Sequence, residues 1–159
     1  MTFSVQYHRL AAVLAVAAAL SGCGGNDAPA TPTPSPTPTP TPPPQVISYQ
    51  PVWELPSGFY IVDNFSIPSP GTVTATVDWQ STRNNVDAYV TNAACTPKEF
   101  FDNGRKCRFY DRDEKPAAKP TVLSFEAGQD HVGGARIYII NRGPDAEKGS
   151  FMIELSRAQ

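Results

Sequence analysis

An all-β fold, a single jelly-roll-like β-sandwich, is what the chain predicts beyond residue 45, and three observations carry it. From Val46 onward, short β-branched and aromatic runs are cut by Gly, Pro and Asn. The stretch 72–79 alternates strictly, with Val73, Ala75, Val77 and Trp79 on one side and Thr72, Thr74, Thr76 and Asp78 on the other, the pattern of a strand with one buried and one wet face. After the N-terminal apolar run, no apolar stripe at helical spacing occurs. A length of 159 residues has room for one such domain.

Two elements precede the sandwich. His8 and Arg9 lead into an unbroken apolar run, 10–20, which has the length of a signal-peptide core and is too short to span a bilayer. Leu20-Ser21-Gly22-Cys23 follows directly and resembles the lipobox of bacterial lipoproteins. The resemblance implies cleavage before Cys23, a covalent lipid on its thiol, and several acyl chains holding the protein at a membrane. Gly24, rather than Asp, follows the cysteine, and in bacteria with two membranes this resembles a signal for the outer membrane. An ordinary secretory leader with an accidental cysteine is the plainer alternative. Residues 28–44 then place Pro at nearly every second position between Thr, Ser and Ala, which fixes φ and removes backbone donors, so neither helix nor sheet is expected. In polyproline II geometry this tether would span on the order of 50 Å. Its threonines also permit O-glycosylation. The expected organisation is therefore a signal peptide over 1–22, a lipidated N-terminus with a disordered Pro/Thr-rich linker over 23–45, and the sandwich over 46–159.

Eight strands are expected, at 46–53, 58–66, 72–79, 86–91, 108–110, 121–126, 136–141 and 150–156. The same alternation turns Val86, Ala88 and Val90 inward, then Leu123 and Phe125, then Phe151, Ile153 and Leu155. Phe65-Ser66-Ile67-Pro68 leading into Gly71-Thr72-Val73-Thr74-Ala75-Thr76-Val77-Asp78-Trp79, then Asn85-Val86-Asp87-Ala88-Tyr89-Val90, resembles the bacterial pre-peptidase C-terminal domain. Leu123-Ser124-Phe125-Glu126-Ala127-Gly128, Ile140-Asn141-Arg142-Gly143-Pro144 and Gly149-Ser150-Phe151-Met152-Ile153-Glu154-Leu155 are similar to its later strands and closing hairpin. The resemblance covers most of 59–156. It implies a jelly-roll-like sandwich, usually appended to secreted peptidases and associated with adhesion or substrate contact rather than bond cleavage. Residues 129–135 depart from that pattern by lengthening a tight turn, and the reading expects no peptidase joined to this domain.

Charge narrows the partners. Thirteen basic residues stand against fifteen acidic ones, and losing Arg9 with the leader leaves a formal −3. A weakly acidic chain lacks the net basic face that phosphate neutralisation requires, so nucleic acid is not an expected partner. With Cys23 carrying lipid, Cys95 and Cys107 remain, and two thiols in an oxidising envelope most simply pair. Zinc is the rival, but two cysteines and one histidine without a Cys-x-x-Cys fall short of a site. No zinc or other metal cofactor is expected, with one qualification. Asp78, Asn84, Asn85 and Asp87 gather oxygen ligands that can hold calcium, without EF-hand spacing, and some relatives of the resembled family bind it. Otherwise Asn84 and Asn85 make the turn and Asp87 bonds backbone.

Nothing has the specificity of a catalytic motif. His131 is the sole histidine after the leader, beside Gly133 and Gly134, and no Gly-x-Ser-x-Gly elbow, His-Glu-x-x-His helix or phosphate loop is present. The expectation is therefore no enzyme. Residues 98–119 hold seven of the mature chain's twelve basic residues, among them Arg105, Lys106 and Arg108, with five acids and Phe100, Phe101, Phe109 and Tyr110. Mixed charge there fits a solvated hairpin. It also fits a contact surface in which Arg105, Lys106, Arg108 and Tyr110 meet an envelope protein, an extracellular protein or a glycan. The functional expectation is a non-catalytic binding or accessory module, lipid-anchored in the cell envelope and facing periplasm or exterior. A structural envelope lipoprotein is the alternative, and a secreted hydrolase built from scattered carboxylates is third.

Overall fold

The computed structural model describes residues 42–102, 104–114 and 119–157. The leader, Cys23, the tether up to Thr41, and Lys115 lie outside the described residues. Eight strands form: β1 Gln45–Leu55, β2 Tyr60–Ile67, β3 Gly71–Trp79, β4 Val86–Asn92, β5 Phe109–Asp113, β6 Thr121–Ala127, β7 Gly133–Asn141 and β8 Glu147–Ser156. One sheet runs β1-β8-β3-β6 and the other β2-β7-β4-β5, with every paired strand antiparallel. Chain order thus alternates between sheets, except where β4 turns directly into β5, and this is jelly-roll topology.

The alternation seen in the sequence is the packing. Val73, Ala75, Val77 and Trp79 project into the space between the sheets, where they meet Val86, Ala88, Val90, Ile137 and Ile139 from the facing sheet and Phe151, Ile153 and Leu155 from β8. Trp53, Leu55, Phe65 and Ile67 complete this core. Each buried Val, Leu, Ile or Phe among them stabilises by about 1.5–3 kcal/mol relative to exposure. Phe125 packs against the core while remaining partly exposed.

The two long seams of the sandwich close differently. Along β5 and β6, the Asp111 carboxylate accepts the Ser124 amide at 2.7 Å, and Asp113 accepts the Thr121 hydroxyl. Along β1 and β2, the Ser48 hydroxyl donates to Asp63 at 2.8 Å, beside a cleft of about 300 Å³ lined by Trp53, Ile61 and Phe151. The register of β1 slips between Gln50 and Trp53, around Pro51, which has no amide to give a ladder. At one end of the sandwich, Glu147, Asn84 and Asn141 are buried together, and Glu147 accepts the Asn84 side-chain amide at 2.8 Å.

Two observations depart from the expectations. β4 is buried on both faces, because Asp87, Tyr89 and Thr91 on its outer side are covered as completely as Val86, Ala88 and Val90 on its inner side. What covers Tyr89 on this outer face is a helix, α1 Pro97–Asp102, where no helix was expected, while Arg142 and Asn85 close over Asp87. Six residues make too few turns for a 3.6-residue repeat to show. Its local signal is an end-cap: Thr96-Pro97-Lys98-Glu99 has the Ser/Thr-x-x-Glu form with Pro at the first helical position. The Thr96 hydroxyl accepts the Glu99 amide at 3.3 Å, and the helix stops at Gly104, whose φ is +63°. The lengthened segment at 129–135 becomes a single 3-10 turn, Gln129–His131, followed by the start of β7.

Candidate functional site

The loop between β4 and β5 is clamped at its base by Asn92. Its backbone amide donates to the Arg108 carbonyl at 3.1 Å, its side-chain amide donates to the Lys106 carbonyl at 3.2 Å, and its side-chain oxygen accepts the Arg108 amide at 2.9 Å. Above this clamp Cys95 and Cys107 are joined by a disulfide across a separation of 12 residues, with Cys95 fully buried. The pairing expected from cysteine arithmetic is therefore present. A closed loop of this size restricts the unfolded chain by about 3 kcal/mol in the chain-entropy model.

Aromatic rings bind the clipped loop to the sheet beneath. Phe100 stacks on the buried Tyr138 of β7 at 4.3 Å between centroids and meets Tyr89 of β4 edge-on at 5.1 Å. Together with Ile140 and Cys95 these rings build a second, smaller hydrophobic cluster on the outer face. The Tyr138 hydroxyl donates to the Cys95 carbonyl, tying ring, disulfide and sheet together. Burial pushes the Tyr138 phenol above its usual range. For Tyr89, burial is again the main cause, reinforced by the Asp87 and Glu114 carboxylates and opposed by Arg142, and its pKa is pushed up to about 12.

The side chains expected to make a contact surface are divided by this arrangement. Arg105 stands exposed at the loop tip, and the exposed Lys106 reaches the Glu99 carboxylate at 3.1 Å. Arg108 turns the other way: one guanidinium nitrogen meets Asp130 at 2.8 Å, another lies 3.2 Å from His131 Nε2, and the group sits 5.7 Å from the Tyr110 ring centroid. The Arg108 hydrogen bond, aided by His131, holds the exposed Asp130 carboxyl below its ordinary range. Tyr110 is half-buried, against Phe125 and His131, on the core side of β5. Its neighbour Phe109 faces the opposite side, toward Tyr89 and Phe100, with the Arg112 guanidinium 5.7 Å away. His131 is thus held among Arg108, Asp130 and Tyr110.

The oxygen ligands considered for calcium are not assembled. Asp78 lies on the outer face of β3, with Lys119 at 3.7 Å, whereas Asp87 lies on the outer face of the other sheet. The Asp87 carboxylate receives Arg142 Nε at 3.1 Å, Asn85 Nδ2 at 3.3 Å and the Tyr89 hydroxyl at 3.4 Å. Asn84 turns inward to Glu147.

Sequence reasoning grouped Phe101 with the other aromatics of 98–119 as a contact surface, but did not single out Phe59 and Tyr60 near the β1–β2 turn. Phe59 is 61% exposed, Phe101 47% and Tyr60 39%, and the Tyr60 and Phe101 rings pack against each other at 4.7 Å. Tyr60 and Phe101 are 41 positions apart in the chain, so only folding reveals them as a pair. Neither a family model nor a curated protein matches the chain. Among solved structures it is similar to a chain of Desmodium yellow mottle tymovirus, 13% identical, covering 80% of this chain and 95% of that one. The TM-score of 0.31 is too low for that likeness to carry an argument.

Proposed function

We propose that this chain is a non-catalytic binding or accessory module, held in a bacterial envelope by lipid on Cys23 and displayed on the Pro/Thr-rich tether. The observation that carries the binding role is the disulfide-clipped loop: Phe100 and Cys95 anchor it to the sheet, while Phe101 and Phe109 remain exposed at its surface. A loop ordered before contact loses less entropy when a partner binds, and exposed rings on a rigid support supply contact area with few torsions to freeze. The lipobox motif supports the anchor, and the run of prolines supports the spacing.

A structural envelope lipoprotein is the second reading, favoured by the way Lys106 and Arg108 find carboxylates within the loop's own surroundings. The two readings separate in one experiment. Replacing Arg105, Lys106 and Arg108 together with Ser should change thermal unfolding little, because exposed ion pairs contribute about 0–1 kcal/mol each. For a binding module whose contact surface includes this basic rim, the variant loses retention on isolated cell-envelope material at physiological salt. Equal retention of variant and parent, both folded, removes the basic rim from the contact surface.

A further inference from the structure

We propose that Tyr60 and Phe101 form a stacking platform for a neutral glycan, whose hydroxyl edge is met by Arg142 and Asn85, both oriented by Asp87. The proposal deepens the binding-module reading by naming the class of ligand.

The platform and the polar group share one face. Across the outer face of the second sheet, Tyr60 is registered opposite Ile140 and Ile140 opposite Asp87, so Asp87 lies two strands, about 10 Å, from Tyr60. Phe101 comes over Tyr60 because its neighbour Phe100 is drawn into the aromatic cluster below, leaving the next ring of the short helix at the surface. At the other end of the row Asp87 is buried, and it orients a half-exposed Arg142 through Nε at 3.1 Å and Asn85 at 3.3 Å. The polar groups are therefore fixed before any ligand arrives, as a site that fixes orientation requires.

Area and charge choose the occupant. At about 200 Å² per aromatic side chain, the exposed fractions of the two rings amount to about 170 Å². A stable protein interface needs about 800 Å² from each partner, so the patch is small for a protein and suited to a short oligosaccharide. Arg142 and Asp87 neutralise one another, so the polar edge presents donors and acceptors without net charge. That complements hydroxyl groups rather than phosphate or carboxylate. A pyranose has the matching duality, with a C–H face to lie on the negative face of an aromatic ring and a rim of hydroxyls.

The test is affinity electrophoresis of the whole mature chain through gels containing soluble cellulose, xylan or glycol chitin, at low and high salt. The expected result is retardation by at least one of these neutral polysaccharides, little changed by salt. Tyr60→Ala and Phe101→Ala should each weaken it about tenfold, equivalent to about 1.4 kcal/mol, while Phe101→Trp preserves it. Phe101→Ala, at the more exposed of the two rings, is the variant whose folding is least at risk, and thermal melts establish that each variant is folded. Retention on envelope material without retardation by any glycan overturns the ligand class and leaves the binding-module reading standing. Retention on neither overturns both. Retardation that salt abolishes, or that survives both alanine variants, overturns the platform.

Discussion

Glu147 shows how one buried carboxylate organises an end of the sandwich. It accepts hydrogen bonds from the amides of Gln80, Ser81 and Lys148 and from the Asn84 side chain. Burial raises its pKa, but the Asn84 bond and the three backbone amides lower it further, and the net displacement is downward. A carboxylate with its folded pKa below its unfolded value contributes stability that is fully present above the unfolded value, about 4.3, and is lost as pH falls through the folded one. Glu147→Gln is expected to destabilise the domain by about 1–3 kcal/mol at pH 7, because the buried amides lose a charged acceptor. The gap from the parent should narrow as pH drops below about 4. Urea unfolding at several pH values measures both effects. Gly149 carries a different constraint: a Cβ there would lie 2.2 Å from the Asp78 carbonyl oxygen and 2.2 Å from a Trp53 ring carbon. The ring and the strand backbone cannot both give way, so Gly149→Ala should cost about 3 kcal/mol or more, read from the urea midpoint.

At the level of elements, the clipped helix is what turns an ordinary sandwich face into a second core. Phe100→Ala removes the ring stacked on Tyr138 and should cost about 2–3 kcal/mol, less than a fully buried Phe because Phe100 keeps some exposure. Replacing Cys95 and Cys107 together by Ser should cost about 3 kcal/mol and speed tryptic cleavage after Arg105 and Lys106, the bases at the freed tip. Unchanged proteolysis in the double variant would mean that the aromatic cluster alone holds the loop. The strands themselves were legible, because period-two burial writes itself directly into residues such as Val73, Ala75 and Val77. The helix was not, since six residues leave only the Thr96-Pro97-Lys98-Glu99 cap as a trace.

Across the whole molecule, the proposed anchor and tether set where the domain works, and the sandwich sets what it presents. Cys23→Ser is expected to abolish acylation and to shift the protein out of the detergent phase on partitioning. Unchanged detergent partitioning of the variant would refute the lipid anchor. Most contacts in the described domain are non-local, as in β1 pairing with β8, so removing the last strand should prevent folding rather than trim an edge. Proteolysis of a chain ending before Glu147 measures that outcome.

Local chemistry alone determined the class of fold, the inward residues of β3, β4, β6 and β8 and the pairing of Cys95 with Cys107, because alternation, turn residues and cysteine number act over short distances or by simple count. Tertiary structure alone decided that Tyr89, Asp87 and Thr91 are buried on an outer face, that Arg108 turns to Asp130 while Lys106 turns to Glu99, and that Tyr60 meets Phe101. In each of these cases the partner comes from a distant part of the chain or from the opposite side of a loop. A side chain's neighbours there depend on sheet order and on where a six-residue helix lands, and no periodicity in the sequence encodes either.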